Sequence, residues 1–183
     1  MTLEEVLKLN AGDVSMPERI PSLEEVVELA VSNNIMLNIE IKEYYSEENE
    51  KRCISCIEKV IEIVEKYNMR EKTVLNSFDA WVLEYIYKNY GKKYMLHGFY
   101  PYTRMRSVTL NPDDYLYCAC IFNDKHKEYY EYLIEKNIEP WIGAGVTMKN
   151  RFKICAEYGA KLVTTNYPAD TINKLRELGL RNE

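Results

Sequence analysis

No apolar run in the sequence reaches membrane-spanning length, so no segment reads as a transmembrane helix. Basic residues are too few for a nucleic-acid surface: Lys and Arg number 24 against 29 Asp and Glu, a net charge of -5. The start, Met1-Thr-Leu-Glu-Glu, lacks the basic and apolar regions of a signal peptide, which makes the cytoplasm the expected location. Five cysteines, an odd number without framework spacing, do not make a disulfide scaffold. Cys53 and Cys56 form a Cys-x-x-Cys, but no second pair or nearby His completes a zinc site, so both are expected to be ordinary helix residues. No Gly-x-Gly-x-x-Gly follows the first strand and no Walker loop occurs, which removes support for the nucleotide-binding α/β folds. No low-complexity linker divides the 183 residues, a length suited to one domain with a sizeable core. What the chain has in excess is tyrosine, sixteen in all, which composition alone does not explain.

Helical and strand periodicities alternate along the chain. Ser22 follows Pro21 and precedes Glu25 by three residues, the spacing of a capping box, and predicts a helix to about Ser32. A strand is predicted over Met36–Ile41, then a long amphipathic helix over Glu47–Tyr67 with Ile54, Ile57, Ile61 and Val64 on one side. The remaining strands are predicted near Lys72–Asn76, Tyr94–His97, Leu116–Phe122, Glu139–Ile142 and Lys161–Thr165. Helices are predicted over Asp79–Tyr90, Lys125–Lys136, Asn150–Tyr158 and Ala169–Leu178. Six strands separated by helices imply parallel pairing, in either an open doubly wound sheet or a barrel.

The run Leu37–Lys42 alternates apolar and polar residues. Leu37, Ile39 and Ile41 therefore share one face, and Asn38, Glu40 and Lys42 the other. An acid and a base at the end of a central strand would be buried, and buried charges need a partner, a metal or an anion. Glu40 and Lys42 are thus a candidate site.

Several blocks of the sequence resemble the glycerophosphodiester phosphodiesterase family. Ile20-Pro-Ser-Leu-Glu-Glu-Val26 and Leu37-Asn-Ile-Glu-Ile-Lys42 carry the resemblance first. Val74-Leu-Asn-Ser-Phe-Asp79, Pro140-Trp141 and Gly159-Ala-Lys-Leu-Val-Thr-Thr-Asn-Tyr-Pro168 follow in the family's order, so the likeness runs from about Leu3 to Leu178. It implies a (β/α)8 TIM-type barrel truncated at the N-terminus, with strands three to eight present as a single domain. It also implies metal-dependent hydrolysis of glycerophosphodiesters to an alcohol and glycerol 3-phosphate. Glu40 matches the family's metal ligand, for Mg2+ or Ca2+, and Lys42 the lysine beside the phosphate. The family's His-Arg, Glu-x-Asp and His-Asp blocks, which supply two further metal ligands and the acid–base histidines, have no match here.

Other candidates follow from position. His97 is expected to end its strand and face the site mouth, which would allow a replacement acid–base role. His126 reads as solvent-exposed, and Arg104 and Arg106 as a solvated loop within reach of an anionic substrate. Trp141, Phe99 and Tyr44, with Tyr45 and Tyr100, are placed to wall a substrate pocket; Tyr167 has a weaker claim. Gly143-Ala-Gly145 follows the seventh strand of the family pattern, where barrel enzymes often bind phosphate. Asn166 stands where the family often has Asp. The alternative to an enzyme is a remnant that binds phosphodiesters, or an oligomer partner, without turnover. Six strands cannot close an eight-stranded barrel, so a homo-oligomer or a missing N-terminal segment is expected.

Overall fold

The computed structural model describes residues 1–182. Six strands form one sheet: β1 (Leu37–Glu40), β2 (Thr73–Asn76), β3 (Met95–Phe99), β4 (Cys118–Ile121), β5 (Glu139–Ile142) and β6 (Leu162–Val163). All neighbours are parallel and lie in chain order. That unbroken order decides between the two expected architectures, because a doubly wound sheet reverses its strand order part-way and a barrel does not. The sheet is also curled: Met36, Leu37 and Asn38 on one edge and Leu162 and Thr164 on the other line a single cavity of about 330 Å³.

Helices α1 (Leu3–Leu7), α2 (Leu23–Ser32), α3 (Glu50–Lys66), α4 (Ala80–Tyr90), α5 (Lys127–Glu135), α6 (Lys149–Glu157) and α7 (Pro168–Glu177) complete the described residues. The predicted capping box starts α2: Ser22 Oγ accepts from the Glu25 N–H, and the Glu25 carboxylate accepts from the Ser22 N–H at 2.8 Å. Thr2 and Glu5 do the same for α1, a helix that sequence periodicity passes over because it is one turn long. In α3, Cys53, Ile57, Val60, Ile61 and Val64 are buried, the stripe expected of an amphipathic helix. Cys53 is part of that stripe and Cys56 lies half-buried beside it; burial pushes the Cys53 thiol up to about 11, away from redox or metal chemistry.

Strand alternation sorts the sheet's residues. Leu37, Ile39, Leu75, Leu96, Ala119, Ile121 and Ile142 belong to the outer, helix-covered face. Asn38, Glu40, Asn76, His97, Phe99, Cys118, Cys120, Glu139 and Trp141 share the concave face.

Several of the tyrosines share one arrangement. Tyr85 and Tyr90 both donate to Glu58, Tyr94 to Glu65, Tyr67 to Glu28 and Tyr132 to Asp113. Each phenol packs its ring between elements while its hydroxyl reaches a carboxylate on the neighbouring one.

Candidate functional site

Glu40 is the last residue of β1 and Lys42 follows two positions on, so both side chains leave the concave face at the strand's C-terminal end. The Lys42 Nζ lies 3.5 Å from Glu40 Oε2. The expectation of a buried pair is corrected here: β1 is an edge strand, and the Lys42 side chain is 71% exposed against 30% for Glu40. Solvent keeps such a pair cheap, and Lys42 is free to turn toward a ligand.

The loop after β1 is tied to the sheet by Ser77 and Asp79. Ser77 Oγ donates to the Ile41 carbonyl at 2.9 Å and accepts from the Asp79 N–H at 3.1 Å. Asp79, fully buried, accepts from the Tyr45 N–H at 2.9 Å and from the Trp81 N–H at 3.2 Å, which caps α4. The Arg106 guanidinium lies 3.9 Å from the same carboxylate and over the Tyr44 ring. Two loops of the mouth are thereby held to one side chain, and Tyr44 faces Arg106 while Tyr45 stacks on Trp81 at 4.1 Å.

Above the middle of the concave face stands an aromatic wall. Phe78 stacks on Phe99 with centroids 3.5 Å apart, and Phe122 lies 5.7 Å from Phe99. Phe99 belongs to this wall, whereas Trp141 donates its indole N–H to Glu139 at 3.2 Å and lines the cavity formed where the strands begin; both are almost wholly buried. The Arg104 guanidinium rests over Phe122 at 4.9 Å and has no carboxylate within ion-pair distance among the described residues. Gly143 serves this wall rather than an anion: a Cβ there would meet Phe122 Cδ1 at 2.5 Å, and its own N–H donates to the Ile121 carbonyl.

His97 does not reach the mouth. Pairing with β4 extends β3 to Phe99, which leaves His97 mid-strand, pointing into the concave face and 1% exposed. Its Nδ1 meets the Asn38 side-chain amide at 3.2 Å, its ring lies against Trp141 and Phe99, and its Nε2 has no partner among the described residues. Burial lowers its pKa to about 4, so it is neutral at physiological pH. That buried, mid-strand position does not match the expected place at the site mouth. His126 lies at the start of α5, against Glu128 at 2.8 Å and stacked on Tyr129.

Tyr167 and Asn166 lie exposed in the loop before α7. Tyr167 borders a wide, open groove of about 850 Å³ with Met148, Lys149 and Lys174, in the segments that follow β5 and β6. Two of its three lysines are already engaged, Lys149 with Glu177 and Lys174 with Asp170.

Among the described residues no three His, Cys, Asp or Glu side chains are grouped to hold a metal. Oxygen donors for a hard cation are nevertheless present, because Asn76 pairs directly with Glu40 and its side-chain Oδ1 is buried without a partner. Asn76, Phe78 and Phe122 were not singled out from sequence; Asn76 ends β2, and Phe78 and Phe122 lie in the loops after β2 and β4.

No family model matches the chain. The glycerophosphodiester phosphodiesterase of Caldanaerobacter subterraneus subsp. tengcongensis is 36% identical over 95 residues, spanning 48% of this chain and 35% of that protein. Over about half its length the chain is similar to that glycerophosphodiester phosphodiesterase, and it spans about a third of that relative's length. The fold agrees with that of two solved structures. A glycerophosphodiester phosphodiesterase from Parabacteroides distasonis superposes with a TM-score of 0.74 at 16% identity, over 97% of this chain and 72% of its own. A Silicibacter pomeroyi protein, provisionally designated a glycerophosphoryl diester phosphodiesterase, gives 0.79 at 18% identity, over 98% of this chain and 69% of its own. The six strands are accordingly those of a truncated (β/α)8 barrel.

Proposed function

We propose that the chain forms the larger part of a metal-dependent glycerophosphodiester phosphodiesterase, hydrolysing a glycerophosphodiester to an alcohol and glycerol 3-phosphate. The observation that carries this reading is the placement of Glu40 and Lys42 together at the C-terminal end of a barrel strand, 3.5 Å apart and open to solvent. Glu40 would hold a divalent cation, Mg2+ or Ca2+, and Lys42 would contact the phosphate. The metal, when bound, would supply charge stabilisation at the phosphoryl oxygens. Lys42 adds a second positive charge from an exposed stem, and the wall of Phe78, Phe99 and Phe122 would exclude water from one side of the mouth. A cytoplasmic setting agrees with five free thiols, and the product would enter glycerol and lipid metabolism.

A second reading, binding without turnover, is favoured by the histidines. His97 is sealed under Trp141 and His126 is engaged with Glu128, so neither stands where an acid or base must act. In the enzymatic reading those groups come from another segment or from a second copy.

Hydrolysis of glycerophosphocholine, measured with and without Mg2+ or Ca2+ and compared with Glu40→Gln, separates the two. Metal-dependent turnover lost in the variant supports the enzyme. Saturable binding of the diester with no turnover sinks it in favour of the second reading.

A further inference from the structure

Resting on the reading of Glu40 as a metal ligand, we propose that Asn76 is the second protein ligand of that cation, and that the pair favours Ca2+. Glu40 and Asn76 are direct partners in the β1–β2 register, both the last residues of their strands and both on the concave face. Adjacent strands place such partners about 5 Å apart, the separation at which two side-chain oxygens can converge on one ion.

The state of Asn76 points to a ligand. The residue is 6% exposed, and its Oδ1 is shut off from solvent without accepting a hydrogen bond from any described residue. Nearly all buried polar atoms in folded proteins have a partner, so an orphaned carbonyl oxygen calls for a cause. No neighbour on its own face supplies one. Glu40 offers only acceptor oxygens, and His97, the partner on the other side, directs Nδ1 to Asn38 and makes no bond to Asn76. A cation satisfies both oxygens at once, since it accepts lone pairs from a carboxylate and an amide alike.

The choice of ion follows from the ligand types. Ca2+ accepts amide carbonyls and irregular geometry, whereas Mg2+ demands a near-octahedral shell and parts with water reluctantly. One carboxylate and one amide on an edge strand and its neighbour suit the former. Among the described residues the only cation within ion-pair distance of Glu40 is the exposed Lys42, which can swing into solvent.

The test is Ca2+ binding by isothermal titration calorimetry on the full chain and on Asn76→Ala, Asn76→Asp and Glu40→Gln, with Mg2+ titrated in parallel. Asn76→Ala should weaken Ca2+ binding roughly tenfold or more, comparably to Glu40→Gln, and Asn76→Asp should strengthen it by a similar factor. In the unmodified chain, Mn2+ should broaden the Asn76 side-chain amide resonances, a readout that does not depend on any variant folding. Loss of binding in Glu40→Gln alone, with no broadening at Asn76, would overturn the role of Asn76 and leave that of Glu40. Absence of any metal binding would overturn both. Ca2+ binding that follows this pattern without glycerophosphocholine hydrolysis would uphold the cation site and remove the hydrolase reading. Tighter binding of Mg2+ than Ca2+ would overturn the stated preference.

Discussion

Asp79→Asn should destabilise the chain nearly as much as Asp79→Ala, despite its equal size. Both carboxylate oxygens are used as acceptors, Oδ2 from the Tyr45 N–H and Oδ1 from the Trp81 N–H, in a site with no solvent exposure. An amide offers one oxygen and one NH2, so one of the two backbone donors must face another donor. In Asp79→Ala, losing the cap on α4 costs about 1 kcal/mol, and leaving the Tyr45 N–H without its acceptor costs about 1–3 kcal/mol more. The Arg106 contact, at 3.9 Å with a largely exposed guanidinium, adds little. The expected loss is therefore about 2–4 kcal/mol for Ala and about 2 kcal/mol for Asn, or a fall in Tm of roughly 5–15 °C for a chain this long. Urea unfolding followed by circular dichroism measures it, and hydrogen exchange at the Tyr45 amide locates it, since that proton should exchange faster in both variants. An Asn variant within about 0.5 kcal/mol of the parent, with Tyr45 still protected, would refute the reasoning.

Gly143→Ala places a methyl against Phe122 and should cost about 1–3 kcal/mol in urea unfolding, with Phe122→Ala in the double variant recovering part of that loss. No recovery would show that the clash is not with that ring. His97, whose folded pKa of about 4 lies below its ordinary 6.5, takes up its proton more readily in the unfolded chain. Its contribution to stability is therefore complete above about pH 6.5 and is lost as pH falls toward 4, by on the order of 3 kcal/mol; His97→Gln should flatten the pH dependence of Tm across that window. The open edges at β1 and β6, with Leu29, Ile35 and Met36 each more than half exposed, lead us to expect self-association; light scattering after size exclusion should show a dimer or larger, and a stable monomer would contradict it.

The alternation in Leu37–Lys42 was enough to assign Glu40 and Lys42 to one face, because side-chain direction in a strand is a local property. Their exposure was not, since it depends on whether β1 has neighbours on both sides, a fact of topology. The end of β3 was misjudged for a similar reason: Gly98 and Phe99 join the strand through pairing with Ala119 and Cys120, residues some twenty positions away. That extension moves His97 from the mouth to the interior and changes its chemistry. Asn76 was hidden because Asn at the end of an apolar run reads as a strand terminator, and only the β1–β2 register shows it beside Glu40. Gly143 reads as a phosphate loop from its neighbour Gly145, while its steric role requires the position of Phe122. Tyrosine spacing likewise carries no trace of Glu58 or Asp113, which lie on other elements.

The two sheet edges also differ in their hazard for aggregation. β6 contributes only Leu162 and Val163 to the ladder, with Lys161 immediately before them, so it offers an incoming chain little to template on. β1 presents four residues, and the apolar positions Ile35 and Met36 lead directly into it. Solubility of the isolated chain should therefore be governed from one side, and a lysine at Met36 would act as a gatekeeper there without touching the strand ends that carry Glu40 and Asn76.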